Sequence, residues 1–261
     1  MKPSIVKRKL AAGQPVLAGK VNFESPAIVE MMGMLGFDCV WICNEHQYPD
    51  DALLDHLTRA SRVAGMDLML RRTMAGYQDV LHPLEMGVHG LMIPRVTDPA
   101  YLEQVVRMVK FPPEGSRGVD GVNADADFGL LPLPEYLARA NRETFIVAQI
   151  EEPAALERLD EIAAVKGVDV LLVGPADLSV QLGIPGQLRD RRILDAFDKV
   201  ARACQKHGKR AGTTTGDPED ARKLIERGYL FFGTSIDYAP VRSHMLKLKE
   251  TFGPVGFTFG A

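Results

Sequence analysis

Eight short apolar runs rich in β-branched residues recur along the chain, at Val16–Val21, Cys39–Ile42, Leu68–Arg71, Gly90–Ile93, Phe145–Ile150, Val168–Val173, Arg210–Thr214 and Tyr229–Phe232. Runs that are apolar throughout suit strands covered on both faces, as in parallel sheets flanked by helices. Between them lie stretches with apolar residues at helical spacing, such as Pro99–Val109, Pro153–Val165, Arg191–His207 and Pro218–Arg227. These carry Pro or Asp near the start and Gly after the end, the usual helix boundaries. Eight such units in 261 residues, 46% of them hydrophobic, predict one α/β domain over residues 1–261, a (β/α)8 TIM barrel. The unit between the fourth and fifth strands is longest. Its segment Phe111–Leu133 holds three prolines, four glycines and several aspartates without periodicity, which predicts a loop over the barrel mouth.

Composition removes several function classes. The formal charge is −3, and no basic run is interleaved with aromatics, which excludes a nucleic-acid binder. Lys7, Arg8 and Lys9 mimic the start of a signal peptide, but Gly13, Gln14 and Pro15 interrupt the apolar stretch that must follow. No run approaches the ~18 apolar residues of a membrane span, so a cytoplasmic protein is expected. Cys39, Cys43 and Cys204 are too few and too scattered for a disulfide framework or a zinc site, and are read as free thiols.

In (β/α)8 enzymes the reacting groups sit at the carboxyl ends of the strands. Polar residues gather there in this chain: Asn44-Glu45-His46 after the second run, Arg71-Arg72 after the third, Gln149-Ile150-Glu151 at the fifth, and Gly174-Pro175-Ala176-Asp177 after the sixth. Glu151 and Asp177 end neighbouring strands, so their carboxylates can converge. Two carboxylates suit a hard divalent cation, Mg²⁺ or Mn²⁺, completed by water and substrate oxygens. A carboxylate after a strand is also a common helix N-cap, and Asp177 before Leu178-Ser179 fits that role equally. Of six histidines only His46 follows a strand in a polar cluster, which makes it the candidate acid/base.

The segments Gly36-Phe37-Asp38 through Glu45-His46, Gly87 through Ile93-Pro94, Phe111-Pro112-Pro113-Glu114-Gly115-Ser116-Arg117-Gly118, Gln149-Ile150-Glu151 and Gly174-Pro175-Ala176-Asp177-Leu178-Ser179 resemble the HpcH/HpaI aldolase family. These are class II 2-keto-3-deoxy-acid aldolases, including 4-hydroxy-2-oxoheptanedioate aldolase. The resemblance implies a carbon–carbon lyase that cleaves or forms 4-hydroxy-2-oxo acids through a pyruvate enolate and an aldehyde. It assigns a divalent metal (Mg²⁺ or Mn²⁺, with Co²⁺ a further candidate) to Glu151 and Asp177. Backbone N–H groups of Ala176 and Asp177 would receive the substrate carboxylate at a helix start. Gln149 would point inward beside the metal, Arg71 rather than Arg72 would stabilise the enolate oxygen, and Glu45 would meet the metal through water or orient its loop. A homo-hexamer built as a trimer of dimers is implied, with the last helix exchanged between subunits. The periodicity of Val241, Met245, Leu248 and Phe252 gives Val241–Phe252 one apolar face to bury, and Asp237-Tyr238-Ala239-Pro240 is read as an extended connection stiffened by proline.

The chain departs from the family pattern twice. Family members usually carry Asp three residues before the catalytic His, where this chain has Cys43, and a thiol does not orient imidazole as a carboxylate does. After Arg117-Gly118, where another Arg is usual, it reads Val122-Asn123-Ala124-Asp125-Ala126-Asp127. Acidic groups there would disfavour a distal carboxylate on the aldehyde half. Three other readings stay open: a Schiff-base aldolase using Lys20, a phosphate-ester isomerase using Gly212–Gly216 and Gly233–Ser235, and a barrel that binds a keto acid without turnover.

Overall fold

In the computed structural model, which describes residues 2–260, eight parallel strands close in sequence order. They are β1 (Val16–Lys20), β2 (Cys39–Cys43), β3 (Asp67–Arg71), β4 (Gly90–Ile93), β5 (Phe145–Ile150), β6 (Val170–Val173), β7 (Arg210–Thr214) and β8 (Tyr229–Ser235), with β8 paired back onto β1. Helix α1 (Ile5–Ala11) precedes the barrel. Around it run α2 (Pro26–Met34), α3 (Asp51–Val63), α4 (Tyr77–Met86), α5 (Pro99–Val109), α6 (Leu133–Glu143), α7 (Pro153–Glu157), α8 (Leu159–Ala164), α9 (Pro175–Gln181), α10 (Arg191–His207), α11 (Pro218–Glu226) and α12 (Tyr238–Phe252). All eight expected strands are present, with ends shifted by up to three residues.

Side chains alternate across each strand. Val40, Ile42, Leu68, Leu70, Leu91, Ile93, Ile146 and Leu171 face outward and pack beneath the helices. Cys39, Trp41, Met69, Met92, Phe145, Val147, Leu172 and Phe231 form a second, inner cluster that fills the barrel. Val6 and Leu10 of α1 join the inner cluster, so α1 caps the amino-terminal end. Its first turn is pinned by Asp67, which accepts from Ser4 Oγ (2.6 Å) and the Val6 N–H (2.9 Å). With that end plugged, only the carboxyl ends of the strands remain available for a site.

Three expectations are corrected. Pro153–Val165 is two helices, because Arg158 leaves helical geometry (ψ 18°) and pairs with both Asp98 and Glu161. The segment after Phe111 does not lie over the mouth along its whole length. Arg62, in the last turn of α3, donates to the Ala124 carbonyl (2.9 Å), and the Asp125 N–H donates to the carbonyl of Glu85, near the end of α4 (3.2 Å). Helix ends that lead into strands lie at the amino-terminal side, so this part of the segment is held opposite the site. Finally, Asp237-Tyr238-Ala239-Pro240 is not extended. Asp237 caps α12 and Pro240 sits in its first turn, where a missing N–H costs nothing.

Candidate active site

Arg71 is the hub of a buried polar network at the carboxyl ends of β2, β3 and β5. Its position on β3 turns it inward, and it is only 4% exposed. One terminal nitrogen donates to Cys43 Sγ (3.1 Å), the other to Gln149 Oε1 (3.4 Å), and Nε lies 3.1 Å from Glu45 Oε2. The guanidinium carbon stands 5.1 Å from the centre of the Trp41 ring. Arg72, next in sequence, turns away to Asp79 (2.9 Å) at the start of α4, as the strand alternation requires.

Gln149 continues the network, its amide nitrogen donating to Glu151 Oε2. The other carboxylate oxygen of Glu151 accepts from the Arg95 N–H (2.8 Å). Arg95 follows β4 with φ +53°, a conformation that costs a non-glycine residue about 1–2 kcal/mol and here aims its N–H at Glu151. Nothing in the sequence marks Arg95 as part of the site, since its side chain goes instead to Glu152. Burial pushes the Glu151 carboxyl up to about 7, with the facing charges of Asp177 and Glu45 adding to the rise.

Asp177 lies in the first turn of α9, and both it and Ala176 are exposed. Gly174 at the helix start supplies no capping side chain, leaving the first-turn N–H groups without a side-chain acceptor. A Cβ at Gly174 would stand 2.7 Å from Glu151 Oε2 and 3.0 Å from Gln149 Nε2, so glycine is what lets β5 and the start of α9 approach. Among the described residues no group of three His, Cys, Asp or Glu side chains is placed to hold an ion. Two facing carboxylates, one of them destabilised as an anion by burial, nevertheless fit a hard divalent cation that takes its remaining ligands from water and substrate.

The second strand end is built differently from the familiar pattern. Cys43 is buried and accepts from the His46 N–H (3.4 Å) as well as from Arg71. Burial alone would raise its pKa, but the Arg71 guanidinium and the backbone N–H groups of His46 and Glu45 outweigh it, and the net shift is downward. His46 is 60% exposed on its side chain, and its ring nitrogen sits 3.5 Å from Glu45 Oε2. Glu45 therefore bridges His46 and Arg71, the role for which sequence reasoning found no carboxylate.

The acidic residues of the 111–133 segment are not in the mouth. Asp125 is fully buried, accepts from the Tyr136 hydroxyl (3.0 Å) and lies 3.7 Å from Arg117, while Asp127 faces Arg62. The inferred obstacle to a distal carboxylate is thereby removed. The turns after β7 and β8 carry carboxylates of their own: Asp217 accepts from the Glu219 N–H, and Asp237 from the N–H groups of Asn22 and Phe23. Those charges oppose a phosphate bound there and count against the isomerase reading.

A family model described as HpcH/HpaI aldolase/citrate lyase matches residues 21–243. The chain belongs to that family. As an HpcH/HpaI family member it is an enzyme of the aldolase type, a carbon–carbon lyase. It is 33% identical over 233 residues to a hydroxypyruvate/pyruvate aldolase of Deinococcus radiodurans, covering 88% of this chain and 83% of the relative. A 5-keto-4-deoxy-D-glucarate aldolase of Klebsiella pneumoniae is 29% identical over 250 residues, covering 96% and 97%. Among solved structures, an HpcH/HpaI aldolase from Desulfitobacterium hafniense superposes with a TM-score of 0.90 at 33% identity, covering 95% of this chain and 96% of the other.

Proposed function

We propose that this HpcH/HpaI family member is a divalent-metal-dependent class II aldolase that cleaves or forms a 4-hydroxy-2-oxo acid, with pyruvate and an aldehyde as the two halves. The observation that carries the reading is the convergence of buried Arg71, Gln149 and Glu151 on the start of α9, where Asp177 lies. Glu151 and Asp177 hold the ion, which supplies Lewis-acid polarisation of the substrate's 2-oxo group when bound. Arg71 directs its guanidinium at the oxygen that gains charge as the pyruvate enolate develops. Gln149 keeps Arg71 and Glu151 apart and oriented. The first-turn N–H groups of Ala176 and Asp177 receive the substrate carboxylate.

His46, oriented by Glu45, removes the C4 hydroxyl proton in cleavage and returns it in addition. Cys43 anchors Arg71 from the side where a carboxylate would be expected. Residues 1–261 act as one barrel domain, in the cytoplasm, within a homo-oligomer that the family resemblance makes a hexamer. No helix among the described residues is long and apolar enough to cross a membrane.

Exchange of pyruvate C3 protons with D₂O, followed by NMR, tests the enolate half without any knowledge of the aldehyde. Exchange should require added Mg²⁺ or Mn²⁺ and fall by about 10²-fold or more in Glu151→Gln and Asp177→Asn. Full exchange in excess chelator would sink the proposal, and trapping of an imine by borohydride would redirect it to Lys20.

A further inference from the structure

Trp41 occupies the inward position of β2 between Cys39 and Cys43 and is 3% exposed. A buried indole ordinarily gives its N–H to an acceptor, yet Trp41 Nε1 has none among the described residues. An unpaired buried donor is costly, so the ring is not held in place by its polar edge. Room for it comes from β8, where a Cβ on Gly233 would stand 2.8 Å from Cζ3 and 3.1 Å from Cε3 of the ring. What the ring offers is its face. The Arg71 guanidinium carbon lies over it, 5.1 Å from the ring centre, and Lys20 Nζ lies over it at 5.4 Å.

Arg71 needs such a support, because each of its polar contacts is incomplete. The bond to Cys43 ends on sulfur, a weak acceptor, and the bond to Gln149 is long at 3.4 Å. Nε lies 3.1 Å from Glu45 Oε2 but is not aligned to donate to it. Lys20 adds a second positive charge nearby: burial and then the Arg71 charge lower its pKa, against Cys43, Glu45 and Asp237, which raise it. The negative face of an indole attracts both cations and offsets part of their repulsion, most strongly where water is excluded.

We infer that Trp41 is a positioning residue, whose ring face fixes the Arg71 guanidinium at the carboxyl ends of β2, β3 and β5. The inference rests on the aldolase reading for what Arg71 does there, while the hold on Arg71 can be measured without it. An aromatic face suits this task better than another carboxylate would, since it stabilises the guanidinium without adding a charge that would oppose the developing enolate.

Two measurements on the full-length protein test it, and the first uses no substrate. Burial opposes ionisation of Cys43, but the Arg71 charge and the N–H groups around the sulfur bring its thiol below the usual range, while burial moves Cys39 and Cys204 well above it. Ultraviolet thiolate absorbance against pH, taken as the difference from the same protein carrying Cys43→Ser, therefore follows Cys43. Its pKa should move up in Trp41→Met, where Arg71 is released, and stay with the wild type in Trp41→Phe. Both substitutions vacate the space of the second ring, so the contrast between them reads the face and not the volume. In pyruvate C3 exchange with saturating metal, kcat should fall by about 10–100-fold in Trp41→Met with KM within about threefold, and Trp41→Phe should recover to within about fivefold of wild type. Trp41→Leu replaces Trp41→Met if the latter lacks the wild-type circular dichroism spectrum. The inference is overturned if Cys43 titrates alike in every folded variant, if its pKa rises in Trp41→Phe as well, or if the aromatic and aliphatic variants lose exchange equally. Absence of exchange in the wild type would remove the aldolase reading alone, since the thiol titration still decides for or against Trp41.

Discussion

Cys43 stands between two polar groups that would each welcome a carboxylate, the Arg71 guanidinium and the His46 N–H. Cys43→Asp should therefore fold, and if Glu45 only partly replaces the missing partner of His46, aldol cleavage should rise by about tenfold. A fall in rate, with an unchanged circular dichroism spectrum, would show instead that the thiol serves a different chemistry. Gly174 offers the opposite test. Its φ of −93° suits alanine, so the backbone does not object, but the new methyl must push Glu151 or Gln149 aside. Gly174→Ala should lower pyruvate proton exchange by about 10²-fold with little change in thermal stability, because sub-ångström displacement of a positioned group is costly to rate and cheap to fold. These residue-scale tests separate geometry from mere presence of the functional groups.

The junction of α5 and α6 shows how an element far from the chemistry is held. Lys110, 2% exposed, donates from Nζ to the carbonyls of Asn141 (2.6 Å) and Thr144 (2.9 Å), fastening the end of α5 to the end of α6. Burial lowers its pKa from 10.5 to about 8. Between those values the unfolded chain binds the proton and the folded protein does not, so the cost of burying this cation is largest below pH 8 and is relieved as pH rises toward 10.5. Relative to Lys110→Met, the wild type should gain about 2 kcal/mol of unfolding free energy between pH 7.5 and 9.5, measured by urea denaturation. An equal pH dependence in both proteins would show that Lys110 keeps an ordinary pKa.

At the scale of the molecule, α12 is the element the barrel leaves uncovered. None of its residues is buried, and Met245, Leu248 and Phe252, which periodicity assigned to one apolar face, are 64%, 41% and 44% exposed. An apolar face of that extent on a terminal helix asks for a partner, and a second copy of the chain is the expected one. Sedimentation at micromolar concentration should give a homo-oligomer, and deletion of residues 241–261 should reduce its order or solubility. A single species near 28.7 kDa for the full chain would refute this.

The barrel was legible because its signal is local and repeated. Strands covered on both faces must be apolar throughout, and helices between them must show period 3.6, so eight β–α units can be counted without tertiary information. The same logic made Glu45, His46, Arg71, Gln149, Glu151 and Asp177 visible, since strand ends are where a TIM barrel keeps its chemistry. Contacts between residues distant in sequence were not legible. That Glu45 joins His46 to Arg71, that Arg95 offers a strained N–H to Glu151, and that Asp125 turns into a buried pair with Arg117 depend on which side chains the closed barrel brings within 4 Å. A sequence states which charged residues are present, but only packing decides which of them come near enough to pair, because electrostatic pairing falls off over a few ångströms that no spacing along the chain encodes.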